Sequence, residues 1–310
     1  MAKPKNQHWV PKFYLKSFAT PDTRDAAEPK VWVCGKDSGD PALTNVRNIA
    51  AERYLYSPKR TGGSRDWTME DQLASLEALV APIWPEVASG FMDLNGSTSL
   101  CKAIALFVST LHFRHPLSRQ RVAQTHSQLI GLFEDFPKDE RGNPKVSLLD
   151  RDGSPKAFDN SNYQQWSNAG PDDLHQMFVD SIRDHSGEFA RMLLEKRWSV
   201  VFTDDPVFIT TDTPVAIVNR HRTPFGITTP GTVLSLPLSP TRILMMDDRH
   251  DQPKGQYYPL GPHGPGPVNL MAWQCCHRFM ISPRPTDYVC AEMLEWADSP
   301  QGEQEDTQAV

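Results

Sequence analysis

None of the short signatures that would declare a chemistry at once occurs in this sequence. There is no GxGxxG, no GxxxxGKS/T, no GxSxG and no HExxH, so dinucleotide binding, P-loop phosphate chemistry, α/β-hydrolase catalysis and zincin proteolysis lose their usual support. No apolar run reaches the length of about 18 residues that a membrane-spanning helix needs, and the N-terminus has no hydrophobic signal-peptide core, so the expected location is the cytoplasm, with no membrane partner. The five cysteines, at 34, 101, 275, 276 and 290, include no CxxC pair and are odd in number. They fit reduced intracellular thiols rather than a disulfide framework or a cysteine zinc site. With a formal charge of −6, no overall field attracts nucleic acid, and a local basic patch would have to do so. There is no internal repeat.

Proline is abundant instead. Its 27 copies among 310 residues are nearly twice the usual share of about 5%, which predicts long ordered loops and short elements. One stretch is unusually dense for a chain end, "QHWVPKFYLKSF" from Gln7 to Phe18, since termini are loose and polar unless something ties them down. Pro11 suits the first turn of a helix, where its missing N–H costs nothing, so a short helix is expected over 12–19. Lys30 to Cys34 reads as a strand, and 45–56 is ambiguous between a bent strand and a helical turn. Thr68 at a cap position, followed by Glu70 and Asp71, opens an amphipathic helix to about residue 90, kinked by Pro82 and Pro85. A second helix starts near Ser97, is interrupted at Pro116 and resumes to about Phe133, and a third runs from Asp172 to about Lys196.

Residues 136–170 form a weakly patterned surface insertion. Beyond the third helix, Trp198–Thr203 and Val207–Thr210 read as a hairpin. Strands over Val215–Val218, Thr232–Leu238 and Arg242–Met246 then place the sheet in the second half. Helices are expected over Val268–Phe279 and Tyr288–Trp296, with an acidic, disordered tail over 298–310. Helices first and strands later, without β–α alternation, predict an α+β fold: one domain over 1–297, its long amphipathic helices packed on a mainly antiparallel sheet.

Several polar residues sit where chemistry could use them. His8 precedes a helix start, whose free N–H groups disfavour imidazolium, and a neutral imidazole suits a general base or a metal ligand. It could equally cap or pack against its own helix. Glu70 and Glu77, seven apart, lie in line at the margin of an apolar stripe, where they line a cleft or form a solvated edge. Arg114 and His115 extend the stripe that carries Ile104 and Leu111, so the guanidinium needs a carboxylate or a ligand phosphate unless the helix turns out to solvent at Pro116. Asp212, in "TTDTP", ends a strand as a site carboxylate or as an Asx turn.

Taken in order, "HWVPKFYL", "NIAAERYLY", "FRHP", "FITTDTPV" and "LSLPLSP" resemble the family known as domain of unknown function 4238, widespread in bacteria, whose members commonly open with His-Tyr-Val-Pro. The likeness spans about residues 6–285, with Trp9 where the family usually has tyrosine. It implies His8, Pro11, Glu52, Arg114, Asp212 and Pro214 as motif positions and no established activity.

Two readings follow. In the first, His8, Glu52, Arg114 and Asp212 form a catalytic centre, with Glu70, Glu77 and Asp212 holding a divalent cation, Mg²⁺ or Mn²⁺, for phosphodiester hydrolysis by a nuclease of a toxin or antiphage system. In the second, the same groups satisfy one another in a module that binds a protein or nucleic-acid partner without chemistry. A cavity beside His8 favours the first, and a closed network favours the second.

Overall fold

In the computed structural model, which describes residues 3–95, 98–149, 153–157, 160–221 and 223–299, β1 (Asn6–His8) leads through Pro11 into α1 (Lys12–Lys16). The helix proper is shorter than the aromatic run predicts, because Ser17, Phe18 and Ala19 close their N–H groups three residues back, a tightening typical of helix ends. β2 (Lys30–Gly35) and β3 (Pro41–Asn45) form an antiparallel pair. The ambiguous 45–56 segment then splits into a 3₁₀ turn (Val46–Asn48) and β4 (Ala51–Arg53), which pairs back onto β1 with Gln7 opposite Glu52. Ala50 and Tyr54 flank β4 at φ 50° and 60°, left-handed backbone at the bends into and out of the strand.

α2 (Thr68–Val80) and α3 (Trp84–Ser89) replace the single kinked helix that the periodicity predicts. Pro85 belongs to the first turn of α3, where a proline is tolerated. The cap of α2 also differs. Asp66 Oδ1 accepts the Thr68 N–H at 2.9 Å, so Thr68 is the first helical residue and Asp66 does the capping. α4 (Ser99–Phe113) is followed at once by α5 (Pro116–Glu134), with His115 between them accepting the Leu117 N–H on Nδ1 at 3.0 Å. Within the expected insertion, β5 (Ser147–Leu149) and β6 (Pro155–Ala157) pair with each other and α6 (Tyr163–Ser167) follows. α7 (Pro171–Glu195) packs along α4.

The remaining elements are β7 (Arg197–Phe202), β8 (Thr210–Thr211), β9 (Ala216–Val218), β10 (Val233–Ser239), β11 (Arg242–Asp247), β12 (Gln256–Pro259), α8 (Gly266–Cys275), β13 (Phe279–Ser282) and α9 (Thr286–Ala297). One sheet has the order β12-β7-β11-β10-β9 and another β3-β2-β13-β8. All of these pairings are antiparallel except β12 with β7, and the fold is α+β.

Three local expectations are corrected. The 198–210 hairpin does not form: β7 has β11 on one side and β12 on the other, while β8 joins the second sheet through β13. Buried Asn269 takes up the backbone in between, accepting the Ile209 N–H at 3.1 Å and donating to the Val207 carbonyl at 2.9 Å. The strands are not confined to the second half, because β2 and β3 join β13 and β8 in the second sheet. The 268–279 helix stops at Cys275, since the N–H groups of His277 and Arg278 turn to the Asp212 carboxylate. Of the acidic tail, residues 300–310 lie outside the described residues.

The main core runs from Trp9 to Ile281, and the aromatic N-terminus is buried in it. Phe13 and Tyr14 meet Trp84 and Phe107 at centroid separations of 5.2–6.4 Å within this group, contacts worth about 0.5–1.5 kcal/mol each beyond their area. The Tyr14 hydroxyl bonds the Pro237 carbonyl and Thr210 Oγ1, both at 2.7 Å, joining α1 to β10 and β8. The N-terminus is tied down by both packing and polar contacts.

Candidate functional site

Strand alternation in β1 buries Gln7 and turns His8 to the opposite face. Gln7 is fully satisfied, accepting the Tyr56 N–H and donating to Ser57 Oγ, both at 2.7 Å. His8 lines a cavity of about 420 Å³ together with Lys12, Tyr56, Glu70 and Glu77. Burial first, then the positive charge of Lys12 and that of Arg114, pull its pKa down to about 4, against a hydrogen bond to the Arg47 backbone. The ring is therefore neutral at physiological pH, and Nε2 is left without a partner among the described residues.

Across the cavity, α2 buries Met69, Leu73 and Val80, leaving Glu70 and Glu77 half-buried at the margin of that stripe. Burial, then the neighbouring Glu77 charge, push the Glu70 carboxyl up to about 7, with Arg114 opposing. Glu77 Oε1 accepts from Arg114 Nη1 at 2.9 Å. Arg114 is wholly buried at the C-cap of α4, where Nε donates to the Trp9 carbonyl at 2.7 Å. Its own carbonyl accepts from the Tyr56 hydroxyl at 2.8 Å, and Nη2 has no partner among the described residues. The apolar stripe of α4 thus ends in a guanidinium that pairs with a carboxylate rather than turning out to solvent.

Asp212 and Glu52 are not part of this pocket. Glu52 extends from β4 to an ion pair with Arg119 on α5 at 2.7 Å, both side chains about one-third exposed. Asp212 is fully buried and accepts from the N–H groups of His277 and Arg278 at 3.0–3.1 Å and from Cys276 Sγ at 3.3 Å. Burial alone would raise its pKa, but the His115 ring and these donors outweigh it and hold the carboxyl below its usual range. Its carboxylate anchors the bend between α8 and β13. His115 Nε2 stands 3.6 Å from Asp212 Oδ2, too far for a hydrogen bond and near enough for electrostatic attraction. Its Nδ1 accepts the Leu117 N–H, which fixes the ring with Nε2 toward Asp212.

The expected metal set of Glu70, Glu77 and Asp212 is therefore not assembled. Asp212 spends its oxygens on backbone donors, and among the described residues no group of three or more His, Cys, Asp or Glu side chains could hold a metal ion. Lys12 is the site residue that the sequence reading missed. It opens α1 while His8 ends β1, so the bend through Pro11 brings the two side chains to one pocket and no helical spacing shows it.

Asp212→Asn is expected to destabilise the protein by about 2–4 kcal/mol, since an amide turns an N–H₂ toward donors that need an acceptor. Urea unfolding measures the loss, and an unchanged pH profile of any activity separates this structural role from a catalytic one. Acid sensitivity is also expected. His8 and His112 both have pKa values lowered from 6.5 to about 4, chiefly by burial, so the unfolded chain binds more protons than the folded one between those values. Their contribution to stability is complete above pH 6.5 and is lost as pH falls through 4, by about 2–3 kcal/mol for His112 alone. Thermal unfolding across that window in His112→Gln should show a shallower slope than in the parent.

The parts that meet here define a class: an α+β protein whose N-terminal motif, α2 and α4 close a polar pocket with two carboxylates, a neutral histidine and a buried arginine. The chain belongs to the family described as protein of unknown function (DUF4238), whose family model matches residues 6–286. No curated protein and no solved structure matches it. Among the described residues no helix is long and apolar enough to cross a membrane.

Proposed function

We propose that the pocket between β1 and α2 is the active centre of an acid–base enzyme that cleaves phosphodiesters, a nuclease of the kind that serves bacterial toxin and antiphage systems. The observation that carries this reading is the pair Glu70–Glu77: one carboxylate is tied to buried Arg114, while its neighbour is held near neutrality in a cavity shared with His8 and Lys12. Carboxylates whose environments push them apart mark acid–base assignments, and a proton exchanger works best when its pKa lies near the working pH.

In this mechanism Glu70, ionised, takes the proton of the attacking water, while the neutral His8 ring forms the wall of the cavity in which that water sits. Lys12 offsets the phosphate charge and gives a proton to the leaving oxygen. Glu70 and Lys12 then re-equilibrate with solvent. His8 and Lys12 come from the first motif-bearing segment and Glu70 from α2, and Arg114 acts behind them by holding Glu77.

The test is cleavage of single-stranded RNA and DNA oligonucleotides by the purified protein, with EDTA, with Mg²⁺ and with Mn²⁺, beside Glu70→Gln and His8→Ala. Cleavage that survives EDTA and disappears in Glu70→Gln supports the reading. Folded protein that cuts neither polymer under any of these conditions overturns it.

A further inference from the structure

On the other side of the α4–α5 junction from His8 lies a larger cavity of about 490 Å³, within the range of about 300–1,000 Å³ typical of small-molecule sites. The consecutive residues Arg114 and His115 face opposite ways. Arg114 backs the His8 pocket, and His115 lines the second cavity. Its walls come from four parts of the chain and are mostly apolar: Leu111 on α4, Phe189 on α7, Ile217 on β9, and Phe225 with Ile227 on the loop before β10. The rings of His112 and Phe189 stack with centroids 5.1 Å apart and planes 3° from parallel, giving the cavity a flat aromatic wall.

Its charge is one-sided. None of the described lining residues carries a carboxylate, and Arg121 lies at the rim with no ion pair or hydrogen bond among the described residues. The two histidines offer no free second cation to a ligand. Burial first, then the Arg121 charge, keep His112 neutral at physiological pH, and His115 turns Nε2 to the Asp212 carboxylate at 3.6 Å. Thr213 Oγ1 is already engaged with the Cys275 carbonyl at 2.9 Å. One unpaired guanidinium above an apolar, partly aromatic hollow suits one negative charge on an apolar body, whereas a phosphate dianion would call for further donors or cations.

We infer that this cavity binds a small monocarboxylic acid with an aromatic body, its carboxylate at Arg121 and its ring against Phe189 and Phe225. The site is separate from the acid–base pocket and does not depend on what that pocket does. A neighbouring cavity of about 350 Å³ shares Arg121, His112 and Ser118, so the position of the ring has to be tested as well as the charge.

Isothermal titration of the full chain with 2-naphthoate and its uncharged analogue 2-naphthamide provides the test. Saturable naphthoate binding is expected, with the amide bound about fivefold more weakly, the most that an exposed ion pair usually supplies. Arg121→Gln should bring the two ligands to equal affinity. Ile217→Trp should fill the hollow and weaken both by more than about tenfold, while His8→Ala leaves both unchanged. Ile227→Trp, on the surface loop, repeats the filling should Ile217→Trp fail to fold. Three results would overturn the inference: no saturation by naphthoate up to about 1 mM, equal binding of acid and amide by the parent, or binding indifferent to both tryptophans, which would place the ring in the neighbouring cavity.

Discussion

Truncating Glu77 to alanine is expected to destabilise the protein by about 3–5 kcal/mol, the usual consequence of leaving a buried charge without its partner. The two members of this ion pair are unequal, since the Arg114 side chain is 0% exposed and that of Glu77 32%. Without Glu77 the guanidinium keeps only the Trp9 carbonyl among its protein partners. Without Arg114, by contrast, the carboxylate at the pocket rim can hydrate, so Arg114→Met is expected to cost less, about 2 kcal/mol, mainly by orphaning the Trp9 carbonyl. Chemical denaturation of the two variants measures the asymmetry. Equal losses would mean that Arg114 acts as ordinary packing.

Glu77→Ala has a second expected effect. The Glu77 charge is one cause of the raised Glu70 pKa, and Arg114 opposes it. Removing Glu77 while leaving Arg114 drops the Glu70 pKa, and the rising limb of a pH–rate profile should move to lower pH.

Glu70→Gln is expected to abolish activity and strengthen the fold together. The loss should be at least about 100-fold in kcat, the low end for a general acid or base. The stability change follows from linkage. The folded-state pKa is raised from 4.5 to about 7, so between those values the folded protein holds a proton that the unfolded chain releases. Stability therefore falls as pH rises through that window, and at pH 8 the ionised carboxylate opposes folding. Glutamine removes that burden. After a discount for partial solvent screening, the gain is about 1–2 kcal/mol at pH 8 and vanishes below pH 4.5. Opposite signs for activity and stability are the mark of a strained functional group. A variant that loses both would place Glu70 among the structural residues.

How much of this was legible beforehand differs from residue to residue. Pro11, the aromatic anchor and the stripe of α4 follow from local rules, because a proline's fixed φ and a 3.6-residue period act within a few positions. The pairing of Arg114 was legible as a demand, since a guanidinium that continues an apolar stripe needs a counter-charge, but its choice of Glu77 over Glu52 or Asp212 was not. That choice rests on the crossing of α2 and α4, which no local pattern encodes. Asp212 shows the opposite case. Its motif suggested chemistry, and its oxygens went to the backbone of residues 277 and 278, more than sixty positions on. The failed hairpin has a similar cause, because one buried side chain, Asn269, satisfied backbone groups that would otherwise have sought a strand.

The sequence by itself determined the α+β class, the family, most helices and the anchoring of the N-terminus, since burial of periodic apolar side chains is set by spacing along the chain. Only the tertiary structure decided which charges meet. A Coulombic contact or a pKa near neutrality depends on distances of a few ångströms between segments far apart in sequence and on the water excluded around them, and both come into being with the packing.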